Sequence, residues 1–318
     1  MILGGDLGGT KTLLALAEVA GGRPTVVREE RLDSRAYPRF EDLLAAFLRG
    51  QTGVQCACFG LAGPTAIDGR SGQLTNLPWK LDAPTLEKAF GIGQVILAND
   101  FATAAHGLEL LEPGQIATLQ TGLPVERAPR VILGAGTGLG VAGLVWQDGR
   151  YRVIPGEGGH MGFAPHNLKG IELWRWLFDQ YGRATVEDIV SGPGLARVYR
   201  FLSGVDKTPA EVGDAALAGT DPLAVEALEF WLSAYGAFAG DLAMKWLAYG
   251  GVFIAGGVAA KLMPRAFIQP FLEAFNAKRE HRHIAEAMPI HLVTEERLGL
   301  LGAIALAADQ IPPSPTKA

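Results

Sequence analysis

The chain has 318 residues, of which 48% are hydrophobic and 19% are charged, and its formal net charge is −5. This balance is typical of a globular protein and excludes a disordered chain, while the length is sufficient for two domains. The mild acidity argues against a nucleic-acid partner, and no run approaches the ~18 apolar residues that span a bilayer. Glycine is in excess, with 42 residues, which predicts tight turns and close approaches of the backbone to a ligand.

The two cysteines and the first residues predict the compartment. Cys56 and Cys58 occupy alternate positions of an apolar run, and the sequence contains no other cysteine that could pair with either. Small buried thiols of this kind are typical of a reducing compartment. The N-terminus lacks a basic segment and carries Asp6 within its apolar start, which is unlike a secretory signal peptide. We therefore expect a cytoplasmic protein without a membrane partner.

The first ninety residues alternate between strand-like and helix-like patterns. Two apolar runs joined by a glycine-rich turn open the chain, and residues 25–32 are predicted to form a third strand. Apolar spacing predicts helices over residues 40–48 and 84–90, and a buried strand that ends in glycine over residues 56–63.

Asn99 and Asp100 are the first candidates for ligand contact. They follow the apolar run at residues 95–98 and precede a helical pattern over residues 101–111, so they lie where a strand passes into a helix. In open α/β sheets this edge of the strands is where ligands bind. The alternative is that Asp100 only caps the helix, since Asp is a favoured N-cap residue.

The strand–turn–strand pattern of the N-terminus returns at Val131. The run Val-Ile-Leu-Gly-Ala-Gly-Thr-Gly-Leu-Gly-Val-Ala-Gly-Leu-Val-Trp ends at Trp146, and a third strand is predicted over residues 151–154. We interpret this as an internal duplication, which predicts two like domains whose glycine-rich turns point into one cleft. The remaining predicted elements are helices over residues 171–181, 193–202, 222–247 and 298–308 and strands over residues 250–257 and 290–294.

Both glycine-rich turns have the composition of a phosphate-binding nest. Consecutive glycines let backbone N–H groups converge on an anion, and Thr10 and Thr137 each add a hydroxyl donor. Asp6, just before the first turn, is placed to hold Mg²⁺ or its water shell near those phosphates. A strand follows each turn, so neither matches the nucleotide-binding patterns that require a helix there. For each turn taken alone, a plain hairpin is the alternative.

Five segments carry a family resemblance: Asp6-Leu-Gly-Gly-Thr10, Leu97-Ala-Asn-Asp100, Gly134-Ala-Gly-Thr-Gly-Leu-Gly140, Pro155-Gly-Glu-Gly-Gly-His160 and Phe253-Ile-Ala-Gly-Gly257. Together they resemble the bacterial glucokinase family, in the superfamily of sugar kinases, actin and heat-shock ATPases. The resemblance implies an α/β protein with two ribonuclease-H-like domains around a central cleft. It also implies that ATP phosphorylates glucose on its 6-hydroxyl, and it suggests a homodimer.

The resemblance also implies domain limits. The small domain is expected to comprise residues 1–110 plus about 299–312, and the large domain residues 111–298. Residues 313–318 are predicted to be a disordered tail. Related kinases and repressors carry a zinc site with clustered cysteines after their Gly-His motif, and since that cluster is missing here, the chain resembles the zinc-free glucokinases.

Carried over by resemblance, Asp100 is the general base, Asn99 contacts the neighbouring sugar hydroxyls, and Glu157, His160 and Glu187 are the remaining sugar contacts. The expected contacts to ATP and Mg²⁺ lie in the glycine-rich segments: Gly5, Asp6, Leu7, Gly8, Gly9, Thr10, Gly136, Thr137, Gly138, Gly256 and Gly257. A hexose is read by carboxylates, carboxamides and imidazoles, which agrees with this set. Structural alternatives are a paired loop or a weak metal site at Glu157 and His160, and an ordinary surface position for Glu187.

Two other functions fit the same motifs. The chain could phosphorylate another hexose or an N-acetylated amino sugar, because the glycine-rich turns do not read the sugar. It could also be a non-enzymatic sugar sensor, since some members of the superfamily are repressors. Turnover of ATP on addition of glucose separates an enzyme from a sensor.

Overall fold

The computed structural model describes residues 1–21 and 23–311, so the tail predicted at residues 313–318 lies outside the described residues. The chain divides into two compact units. Unit 1 consists of Met1–Glu112 together with the described part of Glu295–Ala318, and unit 2 consists of Pro113–Thr294.

Strands and helices are numbered in chain order. The strands are β1 (Ile2–Leu7), β2 (Lys11–Ala20), β3 (Arg23–Asp33), β4 (Cys56–Leu61), β5 (Ser71–Gln73), β6 (Lys80–Asp82), β7 (Gln94–Asn99), β8 (Ile116–Gln120), β9 (Arg130–Ala135), β10 (Leu139–Gln147), β11 (Arg150–Gly156), β12 (Val252–Ala255) and β13 (Ile290–Val293). The helices are α1 (Phe40–Leu48), α2 (Ala83–Phe90), α3 (Asp100–Gly107), α4 (Leu168–Tyr181), α5 (Gly192–Ser203), α6 (Pro209–Ala218), α7 (Pro222–Trp246), α8 (Gly257–Leu262), α9 (Gln269–Asn276), α10 (Arg282–Ala287) and α11 (Leu298–Ala308).

Unit 1 is a five-stranded sheet in the order β3-β2-β1-β4-β7, covered on both faces. Successive side chains of a strand point to opposite faces, so Leu3 of β1 joins the core that contains α1, whereas Ile2 joins the core that contains α11. Glycine at position 4 lets α11 pack closely, because a Cβ there would lie 2.5 Å from Ile304 Cγ1. Cys56 and Cys58 are buried on the α11 face as free thiols.

Unit 2 is a six-stranded sheet in the order β11-β10-β9-β12-β13-β8, packed against the long helix α7. Trp231 and Tyr235 of α7 are fully buried, and their polar atoms donate to backbone carbonyl groups, at 3.1 Å to Ser191 and 3.1 Å to Leu133 respectively. These bonds satisfy the polar ends of two aromatic side chains in the core.

The two sheets share one topology. In each, three antiparallel strands are followed by two strands parallel to the first, which is the β1, β4, β7 set in unit 1 and the β9, β12, β13 set in unit 2. The repeated order confirms the internal duplication predicted from the sequence.

Four elements of unit 2 were not predicted: β8, α6, α9 and α10. Strand β8 is a partly exposed edge strand without clear alternation of apolar residues, so it has little periodic signal. Helix α6, by contrast, begins with a capping box at Thr208 and Glu211, with Pro209 at its first position, and this signal was present in the sequence. Among the described residues, no helix combines the length and the apolar character needed to cross a bilayer.

Candidate active site

The glycine-rich turn of unit 1 joins β1 to β2 and is held by Ser34. The Gly8 N–H donates to the Lys11 carbonyl at 3.0 Å and closes the turn. The Ser34 hydroxyl donates to the Gly8 carbonyl at 2.8 Å, and the Ser34 N–H donates to the Thr10 carbonyl at 3.0 Å. Ser34 is fully buried, and sequence reasoning missed it because it lies on the far side of β3, with no local signal near the turn.

The closed turn presents two backbone donors. Within residues 1–21 and 23–311, the N–H groups of Gly9 and Thr10 have no protein acceptor, and the Thr10 side chain is exposed. Asn76 packs against Gly9, because a Cβ there would lie 2.8 Å from the Asn76 Cβ. Two adjacent unpaired N–H groups form the nest that an anion such as phosphate requires.

Gly5 and Leu7 lie in β1 itself rather than in the turn. The Leu7 side chain is fully buried, and a Cβ at Gly5 would lie 2.6 Å from the Phe59 ring. Only the backbone atoms of these two residues are therefore accessible to a ligand, and both residues pack β1 against its neighbours.

Asp6 is a strained carboxylate at the edge of this turn. Burial and, to a smaller extent, the negative charge of Asp100 raise its pKa to about 6, while the positive charge of Lys11 opposes both effects. The first turn of α11 packs against it, since a Cβ at Gly299 would lie 3.0 Å from Asp6 Cγ. An ionised Asp6 is thus unfavourable here without a nearby cation.

Asn99 and Asp100 lie where β7 passes into α3. The alternative that Asp100 caps α3 is wrong. The Asn99 Oδ1 accepts from the N–H groups of Phe101 at 2.9 Å and Ala102 at 3.2 Å, so Asn99 is the N-cap residue. Asp100 is the first helical residue, and its Oδ1 accepts from the Phe101 N–H at 2.8 Å. With its oxygen engaged, Asn99 presents its amide NH₂, which has no acceptor within the described part of the chain.

The register of unit 1 brings these residues to one edge. Leu7 pairs with Leu61, and Leu61 pairs with Asn99, so the ends of β1, β4 and β7 form one row. Gly60 allows α3 to approach β4, because a Cβ there would lie 2.5 Å from the Thr103 hydroxyl. The structure therefore places Asp6, the Gly8–Thr10 turn, Asn99 and Asp100 at the same end of the parallel strands.

The glycine-rich turn of unit 2 joins β9 to β10. The Gly136 N–H donates to the Gly138 carbonyl at 2.8 Å, and the Gly192 N–H donates to the Gly136 carbonyl at 2.8 Å. Thr137 is exposed, and the N–H groups of Thr137 and Gly138 have no acceptor among the residues that the structure describes. This turn also has the donors of an anion nest.

Glu187 is tied to this turn by its side chain and to the Glu157–His160 segment by its backbone. Its Oε2 accepts from the Leu139 N–H at 2.7 Å, and its own N–H donates to the Gly159 carbonyl at 3.0 Å. Its Oε1 has no protein donor within the described ranges. Glu187 thus connects the Gly136–Gly138 turn, which is predicted to contact ATP, with the Glu157–His160 segment, which is predicted to contact the sugar.

Glu157 and His160 flank a short 3₁₀ turn, Gly158–His160, that follows β11. This turn lies directly on β10, since a Cβ at Gly158 would lie 2.7 Å from Val141, and one at Gly159 would clash with the Leu139 carbonyl. Both side chains are exposed and have no hydrogen-bond partner in residues 1–21 and 23–311. The same residues contain no group of three or more His, Cys, Asp or Glu side chains arranged to hold a metal ion.

Gly256 and Gly257 follow β12 and begin α8. Gly256 has a φ of 89°, in the region that favours glycine, and a Cβ there would clash with the Ala135 backbone. Gly257 has no atom within 4 Å of its Cβ position, so open space adjoins its backbone. Ala255 pairs with Gly134, so the two glycines lie at the same end of unit 2 as the Gly136–Gly138 turn.

Comparison with known proteins gives a consistent result. A family model for glucokinase matches residues 3–310. A glucokinase from a Nostoc species is 36% identical over 340 aligned residues, covering 97% of this chain and 99% of the relative, and one from a Synechocystis species is 38% identical over 348, covering 96% and 97%.

Solved structures support the fold. A glucokinase from an Antarctic psychrotroph superposes with a TM-score of 0.86 and 27% identity, covering 97% of this chain and 99% of that one. A ROK-family glucokinase from Streptomyces griseus, solved with glucose and AMPPNP, superposes with a TM-score of 0.65 at 22% identity and shares the fold. These similarities confirm the predicted α/β fold of the actin-like ATPase type, and the family match over nearly the whole length shows that the chain belongs to the glucokinase family.

Proposed function

We propose that this chain transfers the γ-phosphoryl group of ATP to the 6-hydroxyl of glucose, giving glucose 6-phosphate and ADP, with Asp100 as the general base. The observation that carries the assignment of roles is the row formed by Leu7, Leu61 and Asn99. Asp100 directly follows Asn99 and the glycine-rich turn directly follows Leu7, which supports this assignment in a chain of the glucokinase family. Transfer of a phosphoryl group depends mainly on positioning and charge neutralisation, which such an edge supplies.

In unit 1, Asp100 accepts the proton of the sugar 6-hydroxyl and Asn99 donates to a neighbouring sugar oxygen. The role of Asn99 follows from its position as the N-cap of α3. Its Oδ1 accepts from the helix backbone, so only its NH₂ group is available to bind a ligand. Asp100 is fixed in the first turn of α3 by its own bond to Phe101, which limits its rotamers.

In unit 2, Glu157, His160 and Glu187 bind the remaining sugar hydroxyls. The support is that Glu157, His160 and one oxygen of Glu187 carry hydrogen-bonding capacity that no described residue uses. A buried sugar would satisfy these groups, and any sugar lacking a matching hydroxyl would leave one unpaired.

The phosphates of ATP are bound by the backbone N–H groups of Gly9, Thr10, Thr137 and Gly138, and the adenosine lies against Gly257. Open space at the Gly257 Cβ position supports this contact. The hydroxyls of Thr10 and Thr137 are exposed and add one donor each.

The residues present fit a Mg²⁺ ion at Asp6. Its raised pKa reflects burial and the nearby charge of Asp100, and a divalent cation would relieve both effects. Asp6 would hold the ion, directly or through water, and the bound ion would neutralise the charge of the ATP phosphates. We expect activity to be lost with EDTA and restored with Mg²⁺, and we expect no stoichiometric zinc in the purified protein.

We also propose a cytoplasmic homodimer whose product enters glycolysis. The free, buried thiols of Cys56 and Cys58 are consistent with a reducing compartment.

A panel of sugars with ATP and Mg²⁺, followed by ADP release, tests the substrate. Glucose is expected to exceed galactose, fructose and N-acetylglucosamine by at least about 10²-fold in kcat/KM, with mannose the best of the others. Equal kcat/KM for N-acetylglucosamine would refute the choice of glucose and leave phosphoryl transfer intact.

A further inference from the structure

Helix α4 carries an unusual second apolar face. Leu168, Ile171, Phe178 and Tyr181 are 80%, 45%, 44% and 55% exposed, although all are large and apolar or aromatic. Together with Trp174, which is half-buried against the unit 2 core and stacks on Phe178 at 5.0 Å between ring centroids, they recur at helical spacing along one side. We call these five residues the α4 stripe.

Apart from Trp174, the residues of the α4 stripe do not belong to the face that holds the helix in unit 2. Gly170, Leu173 and Leu177 are the buried residues of α4 and form its inner face. A surface helix normally presents charged and polar residues opposite such a face. Four large exposed side chains with the half-buried Trp174 between them, along about 21 Å of helix, form a patch of the kind that marks an interaction site.

We propose that the α4 stripe is the surface through which two copies of this chain associate, in an antiparallel arrangement about a two-fold axis. The residues of the stripe are spaced symmetrically about the middle of α4. A two-fold axis near Trp174 and Arg175 brings Leu168 opposite Tyr181 of the partner subunit and Ile171 opposite Phe178 of the partner subunit. Every large apolar residue then meets another, as an isologous interface requires.

The charges beside the stripe suit the same pairing. Arg175 lies in the middle of the exposed side and Glu172 lies one turn before it, and neither has an ion-pair partner in the described part of the chain. About the same axis, Arg175 lies close to Glu172 of the partner subunit, and the pair forms twice. Lys169, by contrast, is already paired with Glu226 of α7.

The stripe alone is too small for a stable dimer, which needs about 800 Å² from each partner. Neighbouring exposed side chains must supply the rest, and Leu223, at the start of α7 beside the Lys169–Glu226 pair, is 37% exposed. The proposal specifies the surface of the homodimer proposed above and does not depend on phosphoryl transfer, which the activity assay reports separately.

Sedimentation of the full chain from about 0.1 to 50 μM tests the surface. Wild type is expected at twice the mass of one chain, and Phe178→Glu is expected to raise the dimer Kd at least about 100-fold, because the residue occurs twice in the interface. Phe267→Glu is the matched control, since Phe267 is 73% exposed and lies outside α4. A wild-type monomer at 50 μM, or a Phe178→Glu dimer as tight as wild type, would overturn the proposal. An unchanged circular dichroism spectrum shows that the variant is folded.

Two further experiments test the arrangement. Arg175→Glu and Glu172→Arg should each raise the dimer Kd about 3- to 30-fold, and the double variant should recover most of the loss. Ile171→Cys and Phe178→Cys chains should be joined by a short bismaleimide reagent only when they are mixed, since each site faces the other across the axis. Failure of the double variant to recover, or equal cross-linking of either chain alone, would exclude this antiparallel pairing.

Discussion

The glycine-rich turns of the two units have the same length and position but different chemistry. Each has three residues between its first and second strands, Gly8–Thr10 in unit 1 and Gly136–Gly138 in unit 2. At corresponding strand positions unit 1 has Asp6 and Lys11, whereas unit 2 has Gly134 and Leu139. At these positions next to the turn, therefore, unit 1 has charged side chains and unit 2 has none.

The two turns are also held in place differently. In unit 1, the hydroxyl and N–H of Ser34 bind the carbonyls of Gly8 and Thr10. In unit 2, a carboxylate oxygen of Glu187 binds the N–H of Leu139. Both units thus have a turn with unpaired N–H groups, while unit 1 adds the carboxylates of the proposed Mg²⁺ site and unit 2 adds a link between its turn and the proposed sugar contacts.

The largest expected effect tests whether the edge of unit 1 carries the chemistry. Asp100→Asn keeps the shape and a hydrogen-bonding group but cannot accept a proton, so kcat should fall by about 10²- to 10⁴-fold. Glucose should still bind, measured by calorimetry. Asp42→Asn, an exposed change in the first turn of α1, is the control and should leave kcat unchanged. Near-normal turnover of Asp100→Asn at saturating glucose would show that another group is the base.

The second prediction tests the charge difference between the turns through Asp6. Replacing Asp6 by Asn should weaken apparent Mg²⁺ affinity about 10- to 100-fold, measured from the Mg²⁺ dependence of the rate. Stability should change in the opposite direction. The pKa of Asp6 in the folded protein is about 6, compared with its ordinary value of 3.8, so the free energy of unfolding falls as pH rises from 3.8 to 6, by up to about 3 kcal/mol.

Asp6→Asn should remove this pH-dependent loss of stability, because the amide does not titrate. Without metal, the variant should melt above wild type at pH 7.5, and the difference in Tm should shrink towards pH 4, where the wild-type carboxyl is protonated. Addition of Mg²⁺ should raise the Tm of wild type more than that of the variant. A Tm difference that does not depend on pH would mean that Asp6 is not strained in the folded protein.

Local patterns predicted much of the fold. The limits of α1 and α11 agree with the prediction to the residue, because each helix has a dense apolar pattern and lies against one face of the sheet. The repeat of the strand–turn–strand pattern likewise predicted the shared topology. Weak periodicity hid β8, since a partly exposed edge strand has no apolar face to mark it.

The site was less predictable because its supports are distant in sequence. Ser34 lies 26 residues from Gly8, and Glu187 lies 48 residues from Leu139, so no local pattern indicates either bond. The cap at α3 shows a second limit: Asn and Asp are equally good N-cap residues, so the sequence Asn99-Asp100 did not show which of them takes that position.

The third prediction tests the link between the unit 2 turn and the sugar contacts. Glu187→Gln replaces the charged acceptor of the Leu139 N–H by a neutral amide oxygen, which weakens the bond that holds the turn and removes a charged sugar contact, so KM should rise about 10-fold for glucose and also for ATP. Glu157→Gln is the control, because Glu157 has no bond to the turn among the described residues, and it should change KM for glucose alone. If KM for ATP is unchanged in Glu187→Gln, the bond to Leu139 does not position the turn.

The smallest expected effect compares the two threonines directly. Thr10 and Thr137 are both exposed, and within the described residues neither hydroxyl bonds to protein, so Thr→Ala at either position should change the free energy of unfolding by less than about 0.5 kcal/mol. Each hydroxyl that donates to a phosphate contributes about 0.5 to 1.5 kcal/mol, so each substitution should raise KM for ATP about 2- to 12-fold. Thr→Ser should retain wild-type KM, because the hydroxyl remains.

The two threonines occupy different positions in their turns, third in unit 1 and second in unit 2, so they are expected to contact different phosphate oxygens. The double Thr→Ala variant should therefore show the product of the two single effects on KM for ATP. A double variant no worse than the poorer single one would mean that only one of the two turns binds phosphate through its threonine.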